Sequence, residues 1–300
     1  MKRRSMVSMV IGAAALTATA ITSGAYATGT SATAATAACK LSLGSVTANG
    51  SHTTTGITAG TPPVVGKTST TPGIFTFGPV RASSTFQSEP NVAGLDSSGY
   101  VVLADSLYHR AYNFNAGINA TTRVGGGWTN FTQIEHVYFE QGTTKHAMFY
   151  GLRSDGTLFR WSEGGKGLVA AGSATGFSSV KSMTLISKTA KYDTFLANTR
   201  SGALYTIRIP ITSPLKPIVT KIRPGTWQGF ESLVAGPCGN YGTVVVGIDK
   251  DTKTANLYAF GHANGTSTVI NSLGKVNGTY ADPVYFRWGP VDYLDVINGD

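Results

Sequence analysis

From Gly73 onward, short runs of aromatic and β-branched residues alternate with clusters of Gly, Asn, Asp and Ser. That texture predicts strands joined by tight turns. No window sustains the apolar period of an amphipathic helix, so the expected fold class is all-β. One pattern recurs: an apolar run, a short polar turn, then Leu or Val beside an aromatic. It reads Val92-Ala-Gly-Leu-Asp-Ser-Ser-Gly-Tyr-Val-Val-Leu, then Phe149-Tyr-Gly-Leu-Arg-Ser-Asp-Gly-Thr-Leu-Phe-Arg-Trp161. It returns as Phe195-Leu-Ala-Asn-Thr-Arg-Ser-Gly-Ala-Leu-Tyr-Thr-Ile207 and, more loosely, over residues 245–260. The Ser-Gly and Asp-Gly pairs supply the positive φ that a tight hairpin needs, so each copy is expected to be a hairpin. A weaker motif is placed one strand earlier: Gly78-Pro79, Gly236-Pro237 and Gly289-Pro290.

A unit of about 50 residues holding four short strands has the period of a propeller blade. Four full copies fit between about Gly73 and Gly278, and the stretch from Tyr280 carries only the first half of another. An open half-blade would expose both of its edges. Its missing strands are expected from residues 39–70. The expected architecture is therefore a β-propeller of five four-stranded blades, the fifth a composite of both ends, with residues 39–300 as a single domain.

The segment before that domain has a different texture. Met1-Lys-Arg-Arg precedes an apolar stretch from Met6 to about Ile21, and Ala25-Tyr26-Ala27 offers small residues at a cleavage site. This is the pattern of a secretory signal peptide over residues 1–27. Residues 28–38, dominated by Thr and Ala, read as a flexible linker. Removing Lys2, Arg3 and Arg4 takes the formal charge from +9 to +6. The remaining basic residues are scattered, without the stripe that nucleic-acid binding uses. No later apolar stretch is long enough to span a membrane. The expected localisation is secreted, extracellular.

Composition narrows the class further. The chain has 300 residues with 37 Gly, 13 Tyr and 13 Phe but only 13% charged residues. That excludes a long coiled coil and a disordered polyelectrolyte. Two cysteines, Cys39 and Cys238, are too few for a small disulfide scaffold. In an oxidising compartment they allow one pairing, a disulfide that would fasten the N-terminal arm to the fourth copy. Two free buried thiols are the alternative.

The hairpin over residues 151–161, its copies, the repeat length and the unit count resemble the five-bladed propeller lectins of the tachylectin-2 type. The resemblance covers most of the chain after the leader. Regulator-of-chromosome-condensation repeats carry a similar Asp-Gly-Thr hairpin but form seven blades. The lectin resemblance implies binding of N-acetylated sugars in pockets between blades. The copies here are diverged, where those lectin blades are nearly identical, so no pocket residue is carried over from the family.

Chemistry is sparse in the sequence. There is no nucleophile elbow and no His-Glu-x-x-His. The stretch Gly60 to Thr68 misses a phosphate loop by one position, and Asp249-Lys-Asp251 and Asn298-Gly-Asp300 are incomplete as calcium loops. No metal or cofactor is expected. Trp128, Phe177 and Trp227 sit at junctions between copies after Gly-containing stretches, and Trp161 and Trp288 end strands. An aromatic face suits the apolar face of a sugar ring, and blade-to-blade packing is the competing use of these rings. Arg153 and Asp155 are candidate polar partners in the hairpin. Carboxylates at Glu135, Glu140, Glu231 and Asp282 could serve a glycosidase if they converged on the axis. The leading expectation is a carbohydrate-binding, lectin-like propeller for cell-wall or other extracellular glycans. A protein-interaction scaffold and a glycan-acting hydrolase are the alternatives.

Overall fold

The computed structural model describes residues 39–300 except Phe77 and Lys166. The expected leader (1–27) and linker (28–38) lie outside the described residues. An N-terminal arm holds β1 (Lys40–Val46), β2 (Ser51–Thr58), β3 (Val64–Val65) and β4 (Ser69–Gly73). Next come β5 (Val80–Ser83), β6 (Phe86–Asn91), β7 (Gly94–Leu103), β8 (Ser106–Asn113) and β9 (Ile118–Gly126). Three four-stranded sheets follow. The first is β10 (Phe131–Gln141), β11 (Thr144–Arg153), β12 (Leu158–Gly164) and β13 (Gly167–Ala174). The second is β14 (Val180–Lys188), β15 (Tyr192–Thr199), β16 (Leu204–Pro210) and β17 (Ile218–Arg223). The third is β18 (Ser232–Pro237), β19 (Thr243–Asp249), β20 (Thr254–Phe260) and β21 (Ile270–Val276). Last is β22 (Val284–Pro290). Two short 3-10 turns, Gly239–Tyr241 and Asp292–Leu294, are the only helical pieces among the described residues. The protein is all-β.

Each of the three four-stranded sheets runs as an antiparallel meander whose last strand is the most exposed. β19, Thr-Val-Val-Val-Gly-Ile-Asp, is buried along almost its whole length because sheets cover both of its faces. A continuous β-branched run is what such a position selects. The last strands, such as β13 and β17, are mostly exposed, and β17 carries Thr220, Lys221 and Arg223. Those polar side chains suit a solvent-facing edge.

The half-unit after Tyr280 is completed as the edge argument expected. β22 pairs antiparallel with β1, Ser42 to Val46 opposite Trp288 to Val284, and β1 pairs with β2. One sheet is thus built from both ends of the described chain. The first strands neighbour one another in order: β5 beside β10, β10 beside β14, β14 beside β18, β18 beside β1 and β22, and β22 beside β5 and β6. Only β22 and β6 share a backbone ladder there, a short parallel one. Polar side chains bridge other junctions. Thr85 N donates to Glu135 Oε1 at 2.9 Å and Met183 N to Gln133 Oε1 at 3.2 Å. Leu233 N donates to Ser182 Oγ at 2.9 Å and Ala235 N to Thr184 Oγ1 at 3.1 Å. Backbone groups buried away from a ladder need such partners.

One hydrogen bond recurs at five junctions. The backbone N–H of an aromatic donates to a carbonyl in the preceding sheet's hairpin turn. The pairs are Phe75 to Gly50, Trp128 to Asp105, Phe177 to Gly156, Trp227 to Gly202 and Tyr280 to Lys253, at 2.8–3.1 Å. All five aromatics are 5–8% exposed. Each turn has a left-handed residue: Gly50, Gly156 and Gly202, but Ala104 and Lys253 in the other two. This corrects the reading of the first copy. Its turn is at Ala104-Asp105, whereas Ser97-Ser98-Gly99 lies inside β7. Gly99 is small for another reason: a Cβ there would come within 2.6 Å of the Phe86 ring. The Gly-Pro pairs are likewise not all equivalent, since Gly78-Pro79 precedes β5 while the other two end β18 and β22.

Cys39 and Cys238 form a disulfide, with Cα atoms 4.8 Å apart. It ties the start of β1 to the residue after β18. Both cysteines are buried in a cluster with Leu41, Val244 and Leu257.

Candidate functional site

A cavity of about 730 Å3 is a groove where β22 meets β6 and the N-terminal arm. Its aromatic lining comes from Tyr112, Phe114 and Trp288. β8 delivers Tyr112, and the chain just beyond it delivers Phe114 and Asn115. The Phe114 ring is 44% exposed and stacks on Tyr112 at 5.2 Å with a 30° interplanar angle. Tyr112 is fixed from behind by His52, whose Nδ1 lies 3.0 Å from the Tyr112 hydroxyl. Trp288 is half-buried, and its indole N–H donates to Thr53 O at 2.9 Å. The indole polar edge is thereby used, and its ring packs on Phe86 and Phe286 at 5.6 and 5.2 Å while lining the groove.

His52 is enclosed by Phe75, Phe86, Tyr112, Phe286 and Trp288, with ring centroids 4.5–5.8 Å away. Burial, helped by the nearby Arg110 charge, pushes its pKa down to about 3. It is neutral at physiological pH, as an aromatic cluster requires. On the other side, residues 291–300 cross from β22 to the second four-stranded sheet, where Gly299 N donates to Ile186 O at 2.7 Å. Arg287 holds this segment with two bonds to Asp295, at 2.7 and 2.6 Å, and Lys188 lies 3.3 Å from the same carboxylate. Burial pushes the Asp295 carboxyl up, but Arg287 and Lys188 outweigh it and hold the pKa down to about 2. The segment places Leu294 and Val296, 61% and 69% exposed, along the groove. Ser88, Asn115 and Thr54 add polar lining. Flat apolar rings beside hydroxyl and amide groups can take a pyranose ring by stacking and hydrogen bonding.

Of the residues singled out in the sequence, Trp288 lies in this groove. Trp128, Phe177 and Trp227 are the buried junction aromatics, and their rings face protein. Trp128 packs on Phe131 at 4.4 Å and Trp161 at 5.1 Å, and Trp227 on Tyr258 at 4.7 Å. Trp161 also stacks on Phe159 at 5.6 Å. Arg153 is half-buried and Asp155 exposed; they pair with each other through Arg153 Nε at 3.0 Å, while Thr157 N donates to Asp155 Oδ1. That is turn chemistry within one hairpin.

A cavity of about 220 Å3 is lined from β5, β10, β14, β18 and β22. Glu135 and Glu231 both line it. Burial raises the Glu135 pKa, and the carboxylate accepts from Thr85 N, Thr85 Oγ1 and His136 N. Glu231 pairs with Lys181 and accepts from Lys250 N at 2.7 Å. Asp282 accepts from Ser45 Oγ at 2.5 Å, and Glu140 is exposed beside Tyr138. The four carboxylates do not converge on one cavity. Among the described residues no cluster could hold a metal ion.

Sequence reading missed Tyr112, Phe114 and Asn115. The alternation Tyr112-Asn-Phe-Asn115 was the available signal, an aromatic pair interleaved with amides at a strand end.

No family model and no curated protein matches the chain. Solved structures similar to it include the α-L-arabinofuranosidase PaAbf62A of Podospora anserina with cellotriose, at 11% identity and TM-score 0.46. That likeness covers 73% of this chain and 81% of the other. A protein described as a 6-phosphogluconolactonase from Bacteroides uniformis has 11% identity and TM-score 0.40, covering 80% and 72%. The SapL1 lectin with alpha methyl fucoside has 10% identity and TM-score 0.42, covering 77% and 78%.

Proposed function

We propose that this chain is a secreted, carbohydrate-binding propeller of five blades that receives a glycan in the groove beside Phe114 and Trp288. The blade count is supported by the recurring aromatic-to-turn hydrogen bond at five junctions and by the cyclic order of the first strands. The leader pattern and the buried disulfide support export. The observation that carries the ligand class is the exposed Phe114 ring, stacked on Tyr112 beside Trp288 in a groove with hydroxyl and amide lining. N-acetylated or cell-wall glycans are the proposed partners, and the groove takes them without a cofactor.

The test is a glycan array probed with the secreted protein at low and high salt. Binding that survives high salt is expected, because stacking is not screened as charge attraction is. Phe114→Ala removes an exposed ring without opening the core and should weaken binding about tenfold. Failure to bind any glycan would overturn the reading. A protein-interaction scaffold is the second reading, favoured by exposed Leu95, Leu294 and Val296 on the same groove. It predicts that the array stays blank.

A further inference from the structure

A separate, smaller cleft lies where β7 and β8 face β10 and β12, about 160 Å3 in volume. It shares no lining residue with the groove. Tyr100, His109, His136, Glu163 and Asp292 meet there, with Gln87 and Ser98 at its wall. The Tyr100 ring lies 5.0 Å from His109 and 5.4 Å from His136. Glu163 accepts from the Tyr100 hydroxyl and sits 2.6 Å from His136 Nε2. Gln87 donates to Asp292 Oδ1, which orients that carboxylate. His136 and Glu163 retain 13% and 29% side-chain exposure, so solvent reaches the pair.

The charge balance of this cleft is unusual. Two carboxylates face one another's field, and the group within hydrogen-bonding distance of Glu163 is an imidazole, which is a cation only while it holds its second proton. Tyr100 lines the same cleft, its ring also meeting Phe149 at 5.1 Å. Carboxylates next to a ring face are the chemistry that recognises an organic ammonium, by charge-assisted hydrogen bonds and cation–π attraction. The volume suits one small unit, well below the several hundred Å3 of a drug-sized site. We propose that this cleft binds the primary ammonium group of a small amine, such as an amino sugar, held between Glu163 and Asp292 against the Tyr100 ring. The ammonium takes the place of the His136 proton, which leaves to solvent.

His136 faces Glu163 on β12, Tyr100 on β7, His109 on β8 and Asp292 after β22, with Glu135 beside it on its own strand. Lys188 also acts on Asp292. Burial lowers the His136 pKa, but the hydrogen bond to Glu163 and the charges of Asp292, Glu163 and Glu135 outweigh it, so the pKa is raised. Burial lowers that of His109. Binding therefore competes with protonation of His136. Affinity should climb about tenfold per pH unit below the His136 pKa and flatten above it.

The experiment titrates the protein with methylammonium, charged throughout the window, while the His136 and His109 ring resonances are followed by NMR from about pH 5 to pH 8. Glucosamine and N-acetylglucosamine are run alongside. The expected result is a saturable shift of both rings with methylammonium, tighter as pH rises, the same shift with glucosamine while its amine is charged, and none with N-acetylglucosamine. Asp292→Asn and Glu163→Gln should each weaken it about tenfold. An unshifted His136 with methylammonium at every pH overturns the proposal. So does an affinity that ignores pH, or equal binding of N-acetylglucosamine. The probe does not depend on the groove, so Phe114→Ala should leave the titration unchanged even if no glycan binds there.

Discussion

Breaking the clasp between Cys39 and Cys238 tests the closure most directly. The two residues are 199 apart in sequence, so the bond closes a loop over most of the domain. In the chain-entropy model a loop of about 200 residues removes roughly 18 cal/mol/K from the denatured ensemble, about 5 kcal/mol at 25 °C. The native state should survive the loss, because β1 keeps its ladders to β2 and β22. For a domain of this size about 5 kcal/mol corresponds to a fall of roughly 10 °C in Tm. The assay is thermal unfolding of the Cys39→Ala/Cys238→Ala variant beside wild type with and without reductant. Reduced wild type retains the sulfur volume, so its shift isolates the covalent link from the small packing loss at two buried sites. A fall of at least about 6 °C on reduction is expected. A Tm unchanged by reduction, or two free thiols in denatured unreduced protein, would refute the reasoning.

Four further outcomes follow from the same geometry. Trp227→Ala empties a junction packed by Phe230, Tyr258 and Phe260 and should cost about 3–5 kcal/mol in urea unfolding. Gly156 has φ +84°, and a Cβ there would meet Ser178 N at 2.1 Å, so Gly156→Ala should destabilise by more than about 2 kcal/mol. Lys253 bears a left-handed φ of 57° on an exposed turn, so Lys253→Gly should leave stability level or raise it by about 0.5 kcal/mol, the opposite sign. His52 is a base whose folded pKa is depressed to about 3, so its contribution is complete above the unfolded value near 6.5 and is lost as pH falls towards 3. Stability should drop by up to about 1.4 kcal/mol per pH unit in that window, and His52→Phe should flatten the slope seen in acid-titrated urea midpoints.

The local grammar was legible where one residue type is forced. Gly156 and Gly202 are required by positive φ, and their hairpins fell where the sequence placed them. The first copy was displaced because Ala104 occupies the left-handed position there, while Gly99 serves the close approach of Phe86. A glycine advertises itself identically for a turn and for a contact, and only the neighbouring ring tells them apart. Of the five junction aromatics, Trp128, Phe177 and Trp227 were found by their place in the repeat, but their burial was not legible. Trp128 and Trp288 differ in what covers them, and that cover comes from other sheets.

By itself the sequence determined the strand-and-turn class, the period of about 50 residues and the need for the two ends to complete one sheet. Each is a property of local backbone preference or of an edge that cannot stay open. The tertiary structure decided which rings face solvent, that Glu135 and Glu231 act as bridges between strands, and that Tyr112, Phe114 and Trp288 share a groove. Trp288 is 174 residues from Phe114 along the chain. They meet because β22 joins the arm and then lies beside β6, a long-range pairing that no local pattern encodes.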